Sequence, residues 1–150
     1  MLSMDCKLRI YLDNCCFSRP FDDQSRLTVR LEAEAVLFIQ KKVRRGEIDL
    51  VWSYVLDFES LANPFLYKSD IVKRWQNRAI CDIEETEEIL LLAESYERLG
   101  LKSMDALHLA CANVSQCKYF VTTDLRILNK NIPELSIINP VQFVKLFEEY

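Results

Sequence analysis

The sequence predicts an α/β fold in three layers, α/β/α, around a mostly parallel central sheet of about five strands. Three observations predict it. Short apolar runs alternate with longer stretches of helical periodicity, the order that covers both faces of a parallel sheet. Half of the 150 residues are hydrophobic, enough for one sizeable core. Only two glycines and four prolines interrupt the chain, which implies short connections and much helix. One domain over residues 1–150 is expected, with no repeat, linker or low-complexity segment.

The elements follow in order. Residues 8–12 read as a buried strand closed by Asp13. Residues 14–27 are polar and mixed, with Arg19-Pro20 and Asp22-Asp23, and read as a loop or short irregular piece. Thr28 caps a helix to about Arg45, with Leu31, Ala35, Phe38 and Ile39 at helical spacing. Its cationic end, Lys41 to Arg45, complements the helix dipole, and Gly46 stops it. Phosphate binding by that cluster is the lesser reading beside a solvated helix end. Residues 48–52 form a second strand, and Ser53 caps a helix carrying Leu56, Glu59 and Ala62. Pro64 restarts a helix to about Arg78. Residues 79–83 are a short strand, 84–99 a helix stopped by Gly100, and Ser103 caps the next helix, with Leu107, Ala110, Cys111 and Val114 as its apolar stripe. Residues 118–122 are a strand, followed by a helical turn from Asp124. Residues 135–138 are the last strand, and Asn139-Pro140 caps a final helix to about Glu148.

Composition narrows the function classes. No apolar run has the length of a bilayer span. The first residues lack a basic segment followed by an apolar one, so no secretory signal and a cytoplasmic location are expected. The six cysteines, Cys6, Cys15, Cys16, Cys81, Cys111 and Cys117, form no C-x-x-C pair, which argues for reduced thiols and against zinc or redox motifs. Cys15-Cys16 beside Asp13, with His108 as base, offers a nucleophile reading. Two small buried thiols after a strand are the preferred account. The net charge of −4 weighs mildly against nucleic-acid binding, because bound cations would neutralise local acids. Trp52, Trp75 and the tyrosines read as core or interface rather than base-stacking platforms.

Four carboxylates stand where folding gains little from them: Asp13 at a strand end, Glu59 in an apolar stretch, Asp105 before Ala-Leu-His-Leu-Ala, and Asp124 after Val-Thr-Thr. Gathering them costs like-charge repulsion and desolvation unless a cation lies between them. Hard divalent ions with oxygen ligands meet that need. Ligands in open parallel sheets gather at the carboxyl ends of strands, where Asp13 and Asp124 fall. Taken singly, Asp13 reads as a turn residue and Asp105 as a first-turn helix acid. Asp57 competes with Glu59 for the inward position. Asp22 and Asp23 read as loop solvation or a cap, with a lesser reading as site members. His108 lies one turn after Asp105 and reads as a satisfied structural histidine, with a base as the lesser reading.

In order, Ile10-Tyr-Leu-Asp13, Ser53 with Glu59, Asp105-Ala-Leu-His-Leu-Ala110 and Val121-Thr-Thr-Asp124 resemble the PIN domain, the metal-dependent ribonuclease fold of many prokaryotic toxins of the VapC type. The resemblance covers about residues 7–147. Its spacing from Ser53 favours Glu59 over Asp57. It implies that Asp13, Glu59, Asp105 and Asp124 hold one or two Mg²⁺ or Mn²⁺ ions and that the chain hydrolyses RNA to a 5′-phosphate and a 3′-hydroxyl. It implies that Thr122 orients a carboxylate or metal-bound water, with Asn14 a weaker candidate. It further implies the toxin of a type II toxin–antitoxin pair, a small antitoxin partner, and a homodimer through residues 64–78 and 86–99. The chain departs from the family at Arg126, where some members carry a further acid; Arg126 could instead contact phosphate. Arg19, Arg26 and Arg30 follow Asp13 and are candidate substrate contacts, and residues 14–24 form a longer, more polar connection than usual. The alternative is a catalytically inactive PIN-fold module acting by protein or RNA binding. A phosphoacceptor receiver domain ranks below both, because no lysine follows the Val121-Thr-Thr strand as that chemistry needs.

Overall fold

The computed structural model describes residues 7–149. Cys6 and the N-terminal stretch read for an export signal lie outside the described residues. Along the chain come β1 (Leu8–Leu12), α1 (Asn14–Ser18), α2 (Leu27–Arg44), β2 (Ile48–Ser53), α3 (Tyr54–Ala62), α4 (Leu66–Lys73), β3 (Cys81–Ile83), α5 (Glu87–Glu97), α6 (Ser103–Val114), β4 (Tyr119–Val121), α7 (Leu125–Leu128), β5 (Ser136–Ile138) and α8 (Pro140–Glu148). The five strands are all parallel, in the order β3-β2-β1-β4-β5. Among the described residues no helix is long and apolar enough to cross a membrane.

The strand alternation assigns the layers. Tyr119 meets Phe143 of α8 edge-on. Its neighbour Phe120 stacks on Tyr11 instead, with ring centroids 5.4 Å apart, and Tyr11 meets His108 of α6. Successive residues of one strand therefore serve opposite faces, one against α8 and the other against α6. Strand segments covered on both sides are apolar, which is why β4 and residues 10–12 of β1 and 50–52 of β2 read as continuous runs. Phe120 is wholly buried, as are Tyr11 and Trp52; hiding a side chain the size of Phe120 contributes about 1.5–3 kcal/mol.

β1 lies at the centre of the sheet. The chain steps from it through β2 to β3 on one side, then crosses to β4 and β5 on the other. The change of direction opens a crevice at the carboxyl ends of β1 and β4.

Several element boundaries differ from expectation. Residues 14–27 are not irregular throughout: α1 begins directly after Asp13, and a 3-10 turn, Arg19–Phe21, follows it. The Asp13 carboxylate caps α1 by accepting from the Asn14 amide at 2.8 Å, a local bond that overrides the mixed composition. The long helix starts at Leu27 with Arg26 at its N-cap, so Thr28 lies inside it. The expected helix over residues 64–78 divides into α4 and a 3-10 turn, Arg74–Arg78. Lys102, not Ser103, is the N-cap of α6, and Ser103 is its first residue. Asn139 does cap α8, in a full capping box with Gln142 and with Pro140 at the first helical position.

Candidate active site

Asp13 is fixed from three directions. Its backbone amide donates to the Val121 carbonyl at 3.0 Å, which carries the β1–β4 pairing one residue past the strand. Its Oδ1 accepts from Asn14 N, and its Oδ2 accepts from Thr122 Oγ1 at 2.8 Å. The Cys15 thiol reaches the same Oδ2 at 3.5 Å and lies 3.4 Å from Thr122 Oγ1. The residue is only 6% exposed. Thr122, fully buried, also accepts from the Asp124 amide at 3.1 Å. One hydroxyl thus joins Asp13 to the turn that carries Asp124.

Glu59 arrives on α3. Ser53 starts that helix by accepting from the Leu56 amide at 3.3 Å. Glu59 Oε1 lies 2.5 Å from His108 Nε2, and His108 Nδ1 lies 2.6 Å from the Tyr11 hydroxyl. That hydroxyl is in turn 2.6 Å from Ser53 Oγ. The network begins at the cap of α3 and returns to α3 at Glu59, through a strand and a second helix. Its buried members, Ser53, Tyr11 and His108, each have a partner, as buried polar groups require. Burial opposes the charged form of His108. The Glu59 hydrogen bond and the charges of Asp13, Glu59 and Asp105 outweigh it, and the imidazole pKa is raised from its ordinary 6.5.

The donor atoms of Asp13, Glu59 and His108 all lie within 4.8 Å of one another. Among the described residues this is the group close enough to share an ion, so the structure brings two of the four expected acids together with His108. Asp105 and Asp124 stand outside it. Asp105, in the first turn of α6, is half-buried. Burial first, then the charges of Asp13 and Asp124, raise its carboxyl pKa above 3.8. Asp124 caps α7 and accepts from the Arg126 amide at 2.9 Å. The Arg126 guanidinium grips it with Nε at 3.3 Å from Oδ1 and Nη2 at 3.1 Å from Oδ2. The Arg126 hydrogen bond is the main reason that the Asp124 pKa is lowered from 3.8.

No protein-family model matches the chain. No curated protein matches it either.

The donor set fits a divalent ion. A carboxylate oxygen has about two acceptor sites, so Asp13 and Glu59 retain capacity beyond the bonds described. His108 holds one oxygen of Glu59 and thereby sets the direction of the other, as ligand-orienting partners do. Two carboxylate oxygens and an imidazole nitrogen within one reach are ligand atoms that could hold a divalent ion.

The remaining candidates sit elsewhere. Asp57 accepts from the Trp52 indole at 3.1 Å and lies 3.7 Å from Lys73, so Glu59 is the α3 acid that faces His108. Arg19 is held between Asp22 at 3.0 Å and Glu32 at 3.1 Å, and Glu32 also accepts from Asn139 at 2.6 Å. These pairs join the post-β1 segment to α2 and α8, and Arg19 is engaged in them rather than turned to a ligand. Asp23 accepts from the Ser25 amide. Arg30 donates to the carbonyls of Gln24 and Ser25, and Arg26 is exposed at the start of α2. Asn14 contributes its backbone amide to Asp13. Within the Lys41 to Arg45 end, Lys42 lies over the Phe38 and Phe147 rings and Arg44 over Trp75, while Lys41 and Arg45 are exposed.

Sequence reasoning missed that Tyr11 and His108 support Glu59. An all-buried strand shows no inside–outside alternation, so nothing local marked the face to which Tyr11 belongs. The only available signal was His108 on the same α6 face as Asp105.

Proposed function

We propose that this chain is a Mg²⁺- or Mn²⁺-dependent endoribonuclease of PIN-like architecture, acting as the toxin of a type II toxin–antitoxin pair. One observation carries the proposal: Asp13 and Glu59, far apart in sequence, present their carboxylates within 4.8 Å of each other and of His108. Such an arrangement needs compensating positive charge, which His108 supplies only while it is protonated and a divalent ion would supply at any pH. Asp13 and Glu59 would hold the ion, with Asp105 next to them. A bound Mg²⁺ or Mn²⁺ supplies an activated water near neutral pH and stabilises charge on the phosphodiester. The chain's own residues supply position. Thr122 locks the Asp13 carboxylate, and His108, backed by Tyr11 and Ser53, locks that of Glu59. Asp124 holds Arg126 at the rim of the crevice, within reach of a phosphate. The resemblance adds a 5′-phosphate and a 3′-hydroxyl as products, a small antitoxin protein as partner, and a second copy of the chain. Of the segments named for that dimer, α5 exposes Leu90 and Leu91.

Purified protein is expected to cut RNA with Mn²⁺, to stop with EDTA, and to fall to background as Asp13→Asn or Glu59→Gln. Undiminished cleavage by both variants would sink the assignment. A second reading, a PIN-fold module that binds without cutting, is favoured by the full engagement of Asp124 with Arg126. Titration calorimetry separates the two, since the nuclease must take up Mn²⁺ and the retired site need not.

A further inference from the structure

Next to the carboxylates lies a cleft of about 290 Å³, lined among others by Lys102, Asp105, Arg126, Asn129 and Lys130. We propose that this cleft seats a backbone phosphate of a single-stranded polynucleotide, beside the bond that is cut, with Lys102 and Arg126 as its contacts. The identity of the polymer rests on the nuclease reading; the anion site itself does not.

The three cations come from separate segments: the N-cap of α6, the α7 turn and the segment after it. They converge in a chain whose net charge is −4, so the local sign opposes the global one. Asp105 is the acid of the lining. It stands one turn before His108 on α6, and the charges of Asp13 and His108 both act on it, so the cleft and the proposed metal site meet at this residue.

Each cation is differently prepared. Arg126 has a 65% exposed side chain, yet Asp124 holds it by two parallel hydrogen bonds. A guanidinium carries five donors in a fixed plane, and Asp124 engages its Nε and one Nη, so a second planar or tetrahedral anion can be bridged without breaking the first pair. Lys102 is exposed and forms no ion pair among the described residues. Lys130 is tethered, its Nζ donating to the Leu99 carbonyl at 2.8 Å. Gly100 makes room for that tether: a Cβ there would meet Lys130 Nζ at 3.2 Å, and its φ of +97° is one that other residues rarely adopt. The volume admits a phosphate with several waters, each of which takes about 30 Å³ in the liquid.

The experiment is fluorescence anisotropy of an end-labelled single-stranded RNA oligonucleotide in EDTA, over a salt series, paired with Mn²⁺ cleavage on the same preparations. Wild type is compared with Lys102→Ala, Arg126→Ala and the distant control Lys145→Ala, all checked by thermal melting. Lys102→Ala and Arg126→Ala are each expected to lower the log–log salt slope, and the double variant to lower it by about 0.7, the value of one phosphate contact on a single strand. Lys145→Ala should keep the wild-type slope. Unchanged slopes in both cleft variants, with Mn²⁺ cleavage intact, overturn the cleft and leave the nuclease reading standing. Lys102-dependent binding with no cleavage retains the cleft and removes the nuclease reading. Loss of all RNA binding in the wild type overturns both. Inorganic phosphate is the competitor arm: Lys102-dependent binding of phosphate without binding of RNA assigns the site to a free anion and overturns the polynucleotide proposal.

Discussion

Thr122 carries one hydroxyl between two strand ends. It donates to Asp13 Oδ2 and accepts from Asp124 N, and it is fully buried. Thr122→Val keeps the shape and removes the hydroxyl, leaving a buried carboxylate oxygen and a backbone amide short of a partner. The expected cost is about 1–3 kcal/mol in urea unfolding, together with weaker Mn²⁺ binding by calorimetry. Thr122→Ser should restore the metal affinity. A Val variant with wild-type affinity would show that Asp13 needs no orienting bond. At this scale the strand end marked Asp13 and the capped apolar helix marked Glu59, whereas the preference for Glu59 over Asp57 and the choice of Thr122 came from the resemblance to the PIN domain. It was uninformative about the partner of Glu59. Helical spacing put His108 and Asp105 on one face of α6, but which element lies against that face is a long-range matter.

The elements around Asp13 owe their arrangement to pairs that a local reading took for loop chemistry. Arg19 connects the 3-10 turn after α1 to Glu32 on α2, and Asn139, the cap of α8, closes on the same carboxylate. Arg19→Ala leaves a nearly buried Glu32 with one fewer partner. It is expected to destabilise by about 1–3 kcal/mol, an amount reduced from the fully buried case because Arg19 is partly exposed. KM for RNA should not change. A raised KM at unchanged stability would return Arg19 to the substrate. The segment over residues 14–27 was misread because its mixed polarity carries no helical period. The Asp13 cap and the Arg19–Asp22 pair, local bonds that leave no periodic trace, and the Arg19–Glu32 pair to α2 impose the order.

For the molecule as a whole, the acids and His108 couple stability to pH. His108 has a raised pKa, so its contribution is fully present below its ordinary value near 6.5 and is lost as pH rises through the folded value. Asp105 also has a raised pKa and adds to the same downward trend as its proton leaves. Asp124 works the other way: its lowered pKa stabilises above 3.8 and is lost as pH falls through the folded value. Metal-free protein is therefore expected to lose stability as pH rises above 6.5 through the folded pKa of His108, and also as pH falls below 3.8 through that of Asp124. Saturating Mn²⁺ should reverse the neutral-to-alkaline loss, because a cation replaces protons among the carboxylates and stabilises the folded form by mass action. Urea midpoints over a pH series, with EDTA and with Mn²⁺, measure this. Midpoints that ignore metal would remove the ion from the site.

The sequence alone determined the three-layer α/β architecture, because alternating buried strands and amphipathic helices have few ways to hide their apolar faces. It also placed acids at strand ends, where parallel sheets gather ligands. Only tertiary structure decided which acids meet. The pairing of β1 with β4 brings Asp13 to Thr122, and the packing of α3 beside α6 brings Glu59 to His108. Such registers are set by side chains distant in the chain filling one shared volume, a condition no local stretch of residues can express.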